Sequence, residues 1–331
     1  MKNGKTILCC KLCGSFLTQK PDRYLCNNCS KAYPVREGIV LMEEKNEEID
    51  LRIGGNLLDF YELGNERKYY GSYVQSDVEY VARLHSVNFL NFHAKLLSPY
   101  LSNSIILDLG CGQLPYVESF SETQVKEFYG VDLSFESLKI ARRNFKQTFP
   151  LNLVRHGVKN IPFREHSVDI VVSSEVLEHL DHPKNYLREI YKVMKKGGYI
   201  SLSTPCASMY LYPFNVLHLV TKPVDWLKKL NCHNYWKEAL NWHPGLRPRI
   251  LRRWMEETGF SIRRHETRLW YYDSPLKLMW RLFSLIEKTE ILSAGNIFSK
   301  YLKLMDTLLA SNIPIVKWFG IRQFILCQKK L

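Results

Sequence analysis

Ile105-Ile106-Leu107-Asp108-Leu109-Gly110-Cys111-Gly112 decides the reading of this chain, together with Tyr129-Gly130-Val131-Asp132 downstream. The first stretch reads as an apolar strand running into a glycine turn, with a helix expected after the turn. The second reads as a neighbouring strand that ends in an acid. Glycines take backbone dihedrals closed to other residues and let a ligand approach the chain closely. A helix opening after the turn offers unpaired N–H groups. A carboxylate at the tip of the second strand, Asp132, can accept both hydroxyls of a ribose. The arrangement therefore predicts a nucleotide-like ligand at the carboxyl ends of adjacent strands.

The dinucleotide fingerprint requires a third glycine at position 115, where this chain has Pro115. Asp108, two residues before the first glycine, would repel a pyrophosphate but tolerates a ligand with a sulfonium and an ammonium. The combination resembles motif I of the class I S-adenosylmethionine-dependent methyltransferases. The likeness continues through Ile161-Pro162-Phe163, Ser167-Val168-Asp169-Ile170-Val171-Val172, Glu175-Val176-Leu177-Glu178-His179-Leu180 and Lys195-Lys196-Gly197-Gly198-Tyr199-Ile200. Ser203-Thr204-Pro205 closes a fifth strand as in the ubiquinone-biosynthesis type of small-molecule methyltransferase. The resemblance implies an α/β, Rossmann-like sheet with helices on both faces and S-adenosyl-L-methionine as cofactor. It places Asp108, Gly110, Gly112, Asp132, Leu133, Gly157, Val158 and Ser174 around that cofactor. Leu114 stands where the family has a third small residue, so the turn is expected to be reshaped. Gly157 stands where the family often has an aspartate for the adenine amino group, leaving His156 or backbone at Val158 as substitutes.

Methyl transfer at a sulfonium-activated carbon asks the protein to align the nucleophile and remove its proton. Glu175, Glu178 and His179 are the candidates. They are expected to begin a helix after the fourth strand, sharing one face at spacings of three and four. Three roles stay open: His179 as general base, all three residues holding a divalent cation, or Glu178 and His179 only capping and orienting the helix.

Cys10-x-x-Cys13 and Cys26-x-x-Cys29, twelve residues apart, make two knuckles that suit a tetrahedral, structural zinc site. Cys9 is a spare thiol. With Tyr33-Pro34-Val35-Arg36-Glu37-Gly38-Ile39-Val40, the stretch 7–42 resembles small zinc ribbons. Such ribbons serve as methyltransferase activator subunits or precede certain ribosomal RNA guanine methyltransferases. The expected organisation is a ribbon over 1–42, a solvated linker over 43–54 beginning at acidic Glu43, and a methyltransferase domain over 55–331. Within that domain, 55–100 reads as a helical cap, with Tyr69, Tyr70 and Tyr73 as lid candidates, and 206–242 and 270–315 as insertions. His243 to Phe260 reads as a helix before a sixth strand, Ser261 to His265, and Phe319 to Gln328 as the final strand.

The chain has 331 residues, 46% of them apolar, and a net charge of +13. No signal-peptide pattern is read at Met1 to Leu8, and no run of ~18 apolar residues would span a bilayer. Five of nine cysteines crowd the first thirty positions, which suits metal binding in a reducing cytoplasm better than a disulfide framework. Residues 222–331 hold 20 Lys and Arg against 9 Asp and Glu, and all seven tryptophans. The partner of that region is expected to be anionic, amphipathic or both. Leu276, Leu278, Met279, Leu282 and Phe283 recur at helical spacing among Lys277, Arg281 and Lys288. That pattern fits peripheral contact at the membrane inner face, single-stranded RNA, or a cap packed over a substrate pocket. Three functions follow: methylation of a small or lipid-like acceptor at oxygen, RNA methylation with the ribbon docking the RNA, or a non-catalytic scaffold on this fold.

Overall fold

A computed structural model of the protein describes residues 6–43, 91–114, 116–120, 125–146, 149–157, 159–206, 246–268 and 322–331. Val158, the lid tyrosines, most of the cap and nearly all of both insertions, with their basic and tryptophan-rich pattern, lie outside the described residues.

The strands are β1 (Leu17–Gln19), β2 (Arg23–Cys26), β3 (Ala32–Arg36), β4 (Ile39–Leu41), β5 (Ser104–Leu109), β6 (Val125–Asp132), β7 (Leu151–Arg155), β8 (Val168–Ser174), β9 (Met194–Pro205), β10 (Phe260–Arg268) and β11 (Arg322–Lys329). They form one sheet in the order β1-β2-β3-β4-β7-β6-β5-β8-β9-β11-β10. From β4 to β9 every neighbouring pair is parallel. β11 enters antiparallel between β9 and β10. The expected sixth and final strands are thus present, side by side at one edge.

All six residues of β5 are buried, as a central parallel strand requires when both faces are covered. Ile105, Leu107 and Leu109 enter one core cluster and Ile106 the other, so alternate residues feed opposite faces. Helix α1 (Phe135–Asn144) begins at Ser134, whose hydroxyl accepts the Ser137 N–H at 3.2 Å as an N-cap, and buries Leu138 and Ala141 in the second cluster. Helices α2 (Pro183–Val193) and α3 (Pro248–Thr258) both carry proline in the first turn, where its missing N–H costs nothing. Leu187, Ile190, Leu251 and Met255 join the first cluster. Helices on both faces are therefore what the alternation of β5 demands.

Among the described residues, no α-helix directly follows the glycine turn, and the helix after β8 starts only at Pro183, later than expected. After the glycine turn, Leu114 is left-handed at φ +51°, its N–H bonds the Cys111 carbonyl at 3.0 Å, and only a 3-10 turn follows at Val117–Phe120. A left-handed residue with a Cβ interrupts a right-handed helix. Burial of the Leu114 side chain beside Gly130 offsets that conformation. After β8, Glu175 is left-handed at φ +56°, and Leu177–His179 form a single 3-10 turn. The spacing argument for one helical face at 175, 178 and 179 fails for that reason.

The first four strands belong to the cysteine module, and its last strand, β4, pairs with β3 on one side and with β7 on the other. Leu8 and Phe163 also bridge, and the Cys9 N–H donates to the Pro162 carbonyl at 2.8 Å. Glu43, expected to open a solvated linker, is packed with only 15% of its side chain exposed.

Candidate functional site

The sheet order reverses between β5 and β8, since β5 leads to β6 on one side and β8 to β9 on the other. Ligands of open α/β sheets sit at such a switch, beyond the carboxyl ends of the strands. The glycine turn lies there, bonded to its neighbour. Gly110 and Cys111 donate N–H groups to the Val131 carbonyl at 2.8 and 3.0 Å. Asp132 Oδ2 accepts the Gly112 N–H at 2.8 Å, and Oδ1 accepts the Ser134 N–H at 2.8 Å. Gly110 is left-handed at φ +75°, and a Cβ on it would lie 2.3 Å from Val176 Cγ2. Only glycine fits there. The two residues named first in the sequence are thus brought together.

Asp108 sits below the turn and is fully buried. The Tyr116 hydroxyl donates to Oδ2, while Oδ1 has no hydrogen-bond partner among the described residues. Burial pushes the carboxyl up to about 7, and nearby Asp132 adds to the rise. An orphaned buried carboxylate oxygen beside a glycine cradle fits a ligand that brings positive charge and hydrogen-bond donors.

At the ends of β8 and β9 lies a polar network. Ser174 Oγ and Ser203 Oγ are 3.0 Å apart, and the Ser203 hydroxyl donates to Glu175 Oε1 at 3.1 Å. Arg322 Nε on β11 pairs with Glu175 Oε2 at 2.6 Å. The Thr204 hydroxyl donates to Glu178 Oε2 at 3.0 Å. Burial, then the charge of Glu175, holds Glu178 well above the ordinary carboxylate range. Buried His93 reaches the same network, with Nδ1 2.8 Å from Ser201 Oγ and Nε2 3.3 Å from Ser203 Oγ. Burial lowers the His93 ring to about 3, so it is neutral. Neither His93 nor Arg322 was singled out from sequence, because their partners lie on strands distant in the chain. His179 is partly buried in the 3-10 turn, its N–H on the Val176 carbonyl at 3.0 Å. Glu175, Glu178 and His179 do not converge as a ligand set. Among the described residues, only the four cysteines form a group able to hold a metal.

Beyond β7 lies Glu43, from the segment that follows β4. Glu43 Oε2 accepts the Gly157 N–H at 2.6 Å, and Oε1 lies 3.0 Å from His156 Nδ1. Burial works against the Glu43 charge, but His156 and the Gly157 N–H outweigh it and hold the carboxyl below its usual value. His156, expected to stand in for a side chain at 157, is 2% exposed and committed to Glu43 and the Asn160 carbonyl.

Comparison with known proteins supplies the family. Residues 107–202 match the methyltransferase domain family. Over this segment the chain is similar to a methyltransferase domain. The chain is 37% identical over 109 residues to the mitochondrial ubiquinone biosynthesis O-methyltransferase of Candida albicans, covering 31% of this chain and 33% of that protein. It is 28% identical over 141 residues to the ubiquinone biosynthesis O-methyltransferase of Nitrosospira multiformis, covering 40% and 56%. The chain therefore spans only a third to just over half of these relatives. Among solved structures, the magnesium protoporphyrin IX methyltransferase of Synechocystis superposes with a TM-score of 0.49 at 12% identity, over 83% of this chain and 99% of that one. The matched segment of the methyltransferase domain contains the glycine turn, Asp132, Ser174 and the Glu175–His179 turn.

Outside the matched segment, the cysteine module joins the methyltransferase domain through β4. The Sγ atoms of Cys10, Cys13, Cys26 and Cys29 all lie within 4.8 Å of one another. The 10–29 and 13–26 pairs are 3.5 Å apart. Four thiolates about one ion at ~2.3 Å give separations in this range. The Tyr33 hydroxyl, 3.0 Å from Cys10 Sγ, braces one of them. Cys9 stands apart from the group, and burial pushes its thiol up to about 11. The four-cysteine set chosen from sequence spacing is the one brought together.

Proposed function

We propose that the protein transfers a methyl group from S-adenosylmethionine to a small or lipid-like acceptor, at oxygen. One observation carries the reading: Asp132 is hydrogen-bonded to the Gly110–Gly112 turn at the sheet's switch point, as a nucleoside site requires. Asp132 and Leu133 would hold the ribose end, with backbone at Gly110 and the region of Ser174 on the methionine end, near the orphaned Asp108 oxygen. The cofactor supplies a methyl carbon already activated by a sulfonium. The protein's share is alignment and proton removal. Glu178, held above the usual carboxylate range by burial and by the charge of Glu175, is the first candidate and is oriented by Thr204. His179 in the same turn is the second candidate. The ubiquinone-biosynthesis relatives favour oxygen as the methylated atom. A closed four-cysteine site would take zinc as a structural ion.

Calorimetric titration with S-adenosylmethionine tests the site. Wild-type protein is expected to bind saturably, and Asp132→Ala to lose ~1.5–3 kcal/mol of binding as charged hydrogen bonds disappear. Equal affinity in the two proteins would remove the assignment. The acceptor is read by incubating cell extracts with cofactor labelled in its methyl group and separating lipid, small-molecule and RNA fractions. Label in the first two supports the proposal. Label confined to RNA would instead make the basic last third and the ribbon an RNA-docking surface.

A further inference from the structure

The last strand of the ribbon does more than extend the sheet. β4 sets Ile39, Val40 and Leu41 beside Leu153, Val154 and Arg155 of β7. Met42 and Glu43 then both donate N–H groups to the Arg155 carbonyl, at 3.0 and 3.3 Å. The chain is carried in this way to the carboxyl end of β7, the end where ligands of this fold class bind. There Glu43 grips the following turn through the Gly157 N–H and the His156 ring. That turn is in turn bound to the tip of β6. The His156 N–H donates to the Asp132 carbonyl at 3.0 Å, and Arg155 Nε donates to the Leu133 carbonyl at 3.0 Å. A Cβ at position 157 would stand 3.1 Å from Glu43 Oε2, so this carboxylate fills the space that a side chain at 157 would take.

We propose that Glu43 is a positioning residue for cofactor binding, a carboxylate just past the ribbon's last strand that holds the 155–157 turn in register with Asp132. The inference rests on the methyltransferase reading above. Charge-assisted bonds made by a mostly buried carboxylate are stronger and more directional than those of a solvated linker acid. One wall of the nucleoside site is thus assembled from two parts of the chain. The ribbon's fold reaches that wall through the three residues of β4.

The test is calorimetric titration of S-adenosylhomocysteine into the zinc-loaded 331-residue chain as wild type, Glu43→Ala and Glu43→Gln. Bound zinc and melting temperature are measured on the same samples. Glu43→Ala is expected to weaken binding roughly ten-fold, the equivalent of one charged hydrogen bond. Glu43→Gln keeps an oxygen for the Gly157 N–H and should lose less. Zinc content should stay at the wild-type value, and both variants should remain fully folded at the titration temperature. Wild-type affinity in Glu43→Ala overturns the proposal. So does an affinity loss that comes only with loss of zinc or of the folded state, because Glu43 would then be a structural residue. Failure of the wild-type protein to bind would remove the functional reading itself, a distinct result from binding that is indifferent to Glu43.

Discussion

Asp108 and Glu178 show how single residues acquire chemistry from their surroundings. Asp108 titrates near 7 in the folded protein and at the ordinary carboxylate value, 3.8, when unfolded. Its protonated form is therefore favoured by folding. The associated stability is complete below about 4 and is lost as pH rises through 7. Asp108→Asn keeps an acceptor for Tyr116 and removes the titration. The melting-temperature difference between variant and wild type should grow in the variant's favour from pH 5 to pH 8 in cofactor-free protein. A difference independent of pH would show that Asp108 does not titrate in that window. For Glu178, Gln substitution should lower the methyl-transfer rate by about 10²–10⁴, the usual contribution of a general base, with cofactor affinity preserved. The same experiment on His179→Asn decides between the two residues of that turn.

At the scale of elements, the two turns at the switch point hold the strain. Gly110 takes a left-handed conformation that an alanine adopts only at a cost, and its Cβ would overlap Val176 of the opposite turn. Gly110→Ala is expected to destabilise the protein by roughly 2–4 kcal/mol, read as a lower urea midpoint. The cofactor should be bound more weakly as well, because the turn and Asp132 share hydrogen bonds. An unchanged midpoint would mean that Val176 moves aside without loss. The neighbouring turn places Glu175 in a left-handed conformation, where its N–H donates to the Ser203 carbonyl at 3.1 Å. Such outliers concentrate where geometry serves a ligand.

At the scale of the whole molecule, ribbon and methyltransferase domain share one sheet. Small modules of this kind commonly draw stability from a structural metal, and Leu8, Leu17, Tyr33 and Val40 of this one also join the main core. Here it is also sewn to β7 by backbone pairing. Removing the ion with a chelator is expected to lower the melting temperature of the shared sheet and to weaken cofactor binding at least as much as Glu43→Ala. Two separate melting transitions, with cofactor affinity untouched by the chelator, would show instead that the ribbon is energetically independent. No described helix is long and apolar enough to cross a membrane.

The sequence by itself determined the parallel core of the sheet, the glycine turn with its partner acid, and the four-cysteine cluster. Each of these is written in local spacing: continuous apolar runs for buried strands, glycine where the backbone must be left-handed, and paired Cys-x-x-Cys knuckles. Only the tertiary structure decided that Glu175 would be left-handed and that the helix after β8 would start at Pro183. It also brought His93 and Arg322 to the serines of β9 and to Glu175, and turned Glu43 onto the 155–157 turn beside Asp132. Those contacts join residues distant in the chain. They are set by which strands lie side by side, and a linear pattern of residues carries no trace of that.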